Sequence, residues 1–173
     1  RSALLELAKR LPSRADVSLV VFDRNKAEAL LPRPTPATAV DDIRFALGRA
    51  SQEIARKGVR TPLEAIYSIA SGSFDPCADN RILLVTDDND QMDQDRKLVD
   101  RTVAQWADRG LELWTLSIGQ LGTPTPSVEA LTAAGRGVLL YADTVSEAVE
   151  PLSAALRATG AAVRSPAISV SLA

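Results

Sequence analysis

Apolar positions along this chain alternate between two periods. In "SALLELAKRL" Leu4, Leu7, Ala8 and Leu11 fall on one helical face, whereas "DVSLVVFD" is a β-branched run suited to a buried strand. "KAEALL" follows after only Arg24 and Asn25, which predicts a hairpin and an antiparallel pair. Pro32, Pro34 and Pro36 break the backbone pattern. A long helix comes next, with Val40, Ile43, Leu47, Ala50 and Ile54 at helical spacing and Gly58 as its stop.

The rhythm continues in the second half. "TPLE" places Thr61 at an N-cap, Pro62 at the first helical position and Glu64 where a capping box needs it, so a helix should run from there to Ser71. "RILLVT" is a continuous apolar run of the kind buried on both faces of a parallel sheet. Val99, Val103, Trp106 and Ala107 then make one helical face ending near Gly110. "LELWTLSIG" and "GVLLYA" read as strands on either side of the helix "TPSVEALTAAG". In the closing helix Thr144 and Glu147 form a second capping box, and Pro151 either kinks the helix or marks its start. Strands alternating with helices of this length require crossovers. The expected fold is a doubly wound α/β domain: a mostly parallel central sheet with one antiparallel edge hairpin strand and helices on both faces. Residues 1–160 form that domain, and residues 161–173, with "AISVSLA", form a linker or an extra strand leading to a following segment.

Composition narrows the chemistry. The chain has 173 residues, enough for one domain with a sizeable core, and no apolar run approaches the length of a membrane span. Its net charge of -2 gives no general attraction for nucleic acid. No histidine is present, so imidazole bases, Ser-His and Cys-His nucleophile pairs and histidine metal ligands are excluded within this chain. Cys77 is the single cysteine and has no internal disulfide partner. No glycine-rich phosphate loop follows any strand, which counts against a dinucleotide enzyme. The single methionine is Met92, so a further segment is expected upstream of Arg1.

What remains is an acidic loop. Ligands of doubly wound sheets gather at the carboxyl ends of the strands, and "RILLVTDDND" empties Asp87, Asp88 and Asp90 into that edge, with Asp93 and Asp95 close behind. Like charges at such spacing repel, and a hard cation held by oxygen ligands, magnesium or else calcium or manganese, would relieve them. Helix-capping and solvated-turn roles explain the same aspartates without a metal, and Thr61 is fully explained as an N-cap.

The order of strand, hairpin strand, long helix, "GVRTPLEAIYSIA", "RILLVTDDND", "LELWTLSIG" and "LTAAGRGVLLYADTVSEAVEPL" resembles a von Willebrand factor type A (VWA) domain over residues 2–158. The resemblance implies a Rossmann-like fold, no enzymatic activity, and a protein partner. It also implies a metal-ion-dependent adhesion site, in which a DxSxS motif on the first strand joins a threonine and an aspartate. Thr61 and Asp87 are the corresponding candidates here. Asp88, Asn89, Asp90 and Gln120 would form the partner-binding rim, and an acidic side chain of the partner would complete the metal's shell.

Two departures follow. The family's Thr-Asp-Gly is Thr86-Asp87-Asp88 here, and the chain contains no DxSxS. In the family the strand with that motif lies between the strands equivalent to "DVSLVVFD" and "RILLVT". Left unfilled, this slot would leave two rows of backbone groups unpaired, at about 1–3 kcal/mol each. A segment upstream of Arg1 is the preferred filler, with "AISVSLA" or another chain as the alternatives. With only Thr61 and Asp87 the cation would bind weakly. The expected function is a metal-bridged protein-interaction module. The alternative is the same fold with a lapsed metal site, serving as a structural or regulatory piece of a larger assembly. A remote third reading, a phospho-acceptor receiver domain, needs a late lysine, and the last one is Lys97.

Overall fold

The computed structural model describes residues 2–23, 26–31, 33–53, 62–86, 96–118, 126–159 and 164–172. The elements run in the order α1 (Ser2–Arg10), β1 (Asp16–Asp23), β2 (Lys26–Ala29), β3 (Thr35–Pro36), α2 (Val40–Glu53), α3 (Pro62–Ser71), β4 (Ala78–Thr86), α4 (Arg96–Asp108), β5 (Leu111–Ile118), α5 (Pro126–Ala134), β6 (Arg136–Ala142), α6 (Val145–Thr159) and β7 (Arg164–Leu172). All seven described strands join one sheet of order β2-β1-β7-β4-β5-β6, with β3 also on β1. β1, β7, β4, β5 and β6 are parallel, and β2 and β3 pair antiparallel with β1. This is the doubly wound α/β architecture that the periods predict.

The central slot is filled from within the chain. β7 lies between β1 and β4, with Ala167 beside Asp16 and Asn80, and Leu172 beside Val21 and Val85. In this structure residues 164–172, which include most of "AISVSLA", one of the alternatives named from the sequence, occupy the slot. The physical reason is that two interior edges with unpaired N–H and C=O groups accept any extended segment of suitable reach.

Strand alternation distributes the core over two layers. Val17, Leu19, Leu83, Val85, Trp114 and Leu116 face α1, α2 and α6, while Val20, Ile82, Leu84 and Leu113 face α3, α4 and α5. Trp114 is buried, and the half-buried Trp106 meets Phe74 edge to face at 5.8 Å between ring centroids.

Local signals mostly match. At the start of α6 the Glu147 N–H donates to Thr144 Oγ1 at 3.3 Å, and the helix begins at Val145, ahead of Pro151, so the proline is not its start. Gly110 has φ of 96°, the left-handed stop after α4. The carboxyl-terminal stop expected at Gly58, and Ile54 before it, lie outside the described residues. β3 was not foreseen: the proline segment contributes a short ladder, Asp16 to Pro36 and Val17 to Thr35. At the other edge β6 carries an irregularity in its register with β5, and Arg136 there has φ of 52°. A Cβ on Gly137 would lie 1.9 Å from the Leu113 carbonyl oxygen, so only glycine permits this approach of β6 to β5.

Candidate functional site

The connections determine which ends of the helices meet which ends of the strands. α3 leads into the amino end of β4, α4 into β5 and α5 into β6, so each of these helices starts at the opposite, carboxyl edge of the parallel sheet. Pro62 opens α3 at that edge and Thr86 closes β4 there. The start of α3 and the end of β4 thus lie at one end of the sheet. Thr61, Asp87, Asp88, Asn89, Asp90 and Gln120 themselves lie outside the described residues.

The last described rung beneath this edge is polar but uncharged. Thr86 pairs in register with Ser117, and both are buried. One layer lower, the Thr115 and Thr132 hydroxyls lie 2.7 Å apart, and Thr132 donates to the Val128 carbonyl at 2.9 Å. This chain of hydroxyls ties α5 to β5 beneath the edge, satisfying polar groups that would be costly if buried alone.

The fit to a divalent cation can be judged from the donors at hand. Among the described residues no group of three or more carboxylate or thiol side chains is placed to hold a metal. The strand in the central slot, "RSPAISVSL", contains no aspartate or glutamate, and Ser169 and Ser171 stand in register with Ile82 and Leu84, below the rim. The described residues therefore do not fit a metal-ion-dependent adhesion site.

The charged cluster that the structure does describe lies toward the amino end of β4 and escaped the sequence reading. Arg81 is buried; its Nε–H donates to Glu112 Oε2 at 3.2 Å and Nη2 donates to Asp79 Oδ2 at 3.2 Å. Its guanidinium lies 4.9 Å from the Trp114 ring centroid, and the Trp114 indole N–H donates to Glu112 Oε2 at 2.8 Å. Every partner is local, so the cluster closes the bottom of the sheet as a satisfied ion pair with a cation–π contact. The signal was available: a basic residue at the head of a strand otherwise buried on both faces needs a carboxylate on its neighbour, and Glu112 is that neighbour.

Tyr67 on α3 is also buried, and its hydroxyl has no hydrogen-bond partner among the described residues. Burial pushes its pKa well above the usual phenol range. Phe45 was missed for another reason: it falls between Ile43 and Leu47, out of phase with the buried stripe of α2, and is 72% exposed.

No protein-family model and no curated protein matches the chain. Solved structures do. The chain is similar to the conserved hypothetical protein BatB from Bacteroides thetaiotaomicron, with a TM-score of 0.70 and 18% identity over 91% of this chain and 84% of that one. It is similar to an aerotolerance-related membrane protein from Bacteroides fragilis NCTC 9343, with multiple mutations to serines, at a TM-score of 0.67 and 16% identity over 91% and 87%. The SpRpn10 VWA domain superposes with a TM-score of 0.61 and 11% identity over 87% and 80%. Sequence order, sheet topology and these superpositions agree that the chain has a von Willebrand factor type A-like fold.

Proposed function

We propose that the chain is a non-enzymatic protein-interaction module that meets its partner across the carboxyl edge of the sheet. The observation that carries this is convergence: the ends of β4 and β5 and the starts of α3, α4 and α5 share one edge. The rim candidates Asp88, Asn89, Asp90 and Gln120 adjoin these ends in sequence. Such rims bind other proteins with side chains held on rigid elements. Capture of partners by wild type and by a D88K/D90K variant tests the reading. The variant should lose the captured protein, and an unchanged capture set overturns the assignment of the rim.

A bridging magnesium ion is the finer form of this proposal. It needs donors beyond Thr61 and Asp87, and a DxSxS strand in place of β7 would supply them. The second form, a lapsed metal site in a structural or regulatory part of an assembly, is favoured by one feature: the slot strand contains no carboxylate. Thermal unfolding separates the two. Magnesium at 100 times its Kd would add about 2.7 kcal/mol, raising Tm by about 5–10 °C for a domain of this size. A Tm unmoved by magnesium retires the metal-bridged form and leaves the second.

A further inference from the structure

The outer edge of the sheet, on the β1 side, forms a second surface. β2 covers β1 from Val20 to Asp23, β3 covers Asp16 and Val17, and the Leu30 N–H donates to the Leu19 carbonyl at 2.8 Å between them. Pro34 and Pro36 in this covering strap have no N–H, so its β3 stretch resists addition of another strand.

Between the strap and α2 lies a groove of about 360 Å³. Leu30, Leu31 and Ala46 form its apolar floor, and all three are buried. Pro34 and the exposed ring of Phe45 rise beside them. Arg33 and Arg49 border the groove from the strap and from α2; both are exposed, and neither pairs with a carboxylate among the described residues. Arg44, by contrast, is held by Asp41 at 2.6 Å. Asp42, in the first turn of α2, adds a carboxylate to the lining.

We propose that this groove docks an acidic linear peptide, whose apolar side chain seats on Phe45 and Pro34 while carboxylates beside it meet Arg33 and Arg49. Charge complementarity selects the occupant: the chain as a whole is acidic, at a net charge of -2, and here it presents two guanidinium groups without a carboxylate partner among the described residues. Guanidinium holds a carboxylate through two parallel hydrogen bonds, and the aromatic and proline surfaces supply the apolar contact between them. Asp42 gives the groove a direction, because the peptide's acidic groups must lie toward Arg33 and Arg49 and away from the start of α2.

The test uses labelled heptapeptides Glu-Asp-X-X-Asp-Glu-Gly, with X as Leu, Ile, Phe or Trp, read by fluorescence anisotropy. Members of the set should bind. The R33E/R49E variant should weaken binding about tenfold or more, as expected for two attractive contacts turned repulsive. F45S should also weaken it, and both variants should keep the wild-type thermal midpoint. Chelator should leave the affinity unchanged, which separates this groove from the rim; a chelator-sensitive affinity overturns the assignment. The proposal also fails if no member binds, if Gln/Asn counterparts bind equally, or if binding survives the double reversal. Oligouridine binding with the same arginine dependence would replace the peptide by a nucleic acid and overturn it too.

Discussion

Ending the chain at residue 163 removes β7 alone. Its neighbours then lose the pairing of Asp16 to Val21 on β1 and of Ala78 and Asn80 to Val85 on β4. In a parallel ladder alternate residues direct both backbone groups to one side, so about a dozen N–H and C=O groups lose their partners. At about 1–3 kcal/mol for each buried group the loss is on the order of 10–40 kcal/mol, against a total stability of about 5–15 kcal/mol. Water entering the gap reduces the figure, but even its lower end cancels the fold. The shortened chain should therefore show no cooperative urea transition by circular dichroism, and a synthetic peptide of residues 164–172 added in trans should restore one. A shortened chain that unfolds cooperatively at the full chain's urea midpoint would refute the placement of β7 and the argument about the slot.

Other expectations concern single side chains. Gly137→Ala forces a Cβ against the Leu113 carbonyl and should cost about 3 kcal/mol or more in urea titrations, whereas Gly48→Ala, with nothing within 4 Å of the new methyl, should stabilise α2 by about 0.5–1 kcal/mol. Tyr67→Phe removes a buried hydroxyl without a partner among the described residues and should raise stability by about 1 kcal/mol, read from the urea midpoint. Because the folded-state pKa of Tyr67 is raised, the folded protein holds that proton more tightly than the unfolded chain. Stability is therefore intact below the unfolded value near 10 and falls as pH rises beyond it, and the fall should be shallower in Tyr67→Phe. Thr132→Val strands the Thr115 hydroxyl and should cost about 1–2 kcal/mol, while the double change Thr115→Val/Thr132→Val should be nearly neutral, a difference that a double-mutant cycle measures.

Much of the architecture was readable because one physical rule sets it: side chains alternate along strands and recur every three to four positions along helices. β1, β4, β5, α4 and α6 follow from that rule, and Thr144 and Gly110 mark ends through backbone groups that need capping. The vacant central position was also deducible, since interior strands must be paired. Its occupant was not, because backbone pairing is indifferent to sequence and "AISVSLA" competes with any other extended segment. Non-local contacts stayed hidden for the same reason. Nothing near Gly137 announces the Leu113 carbonyl, and Pro36 read as a break although it lies in β3. The candidate site was legible only as far as its supports: α3 and β4 bring Pro62 and Thr86 to one edge, while Thr61 and Asp87 lie just beyond what is described.

The position of β7 also sets the order of events during folding. It follows every other described strand in the chain, yet it joins β1 to β4 through contacts between distant parts of the sequence. Loop closure of that length must be met before the contacts form, which slows folding. On the ribosome β7 emerges after both β1 and β4, so the pairing it makes with the two of them forms last.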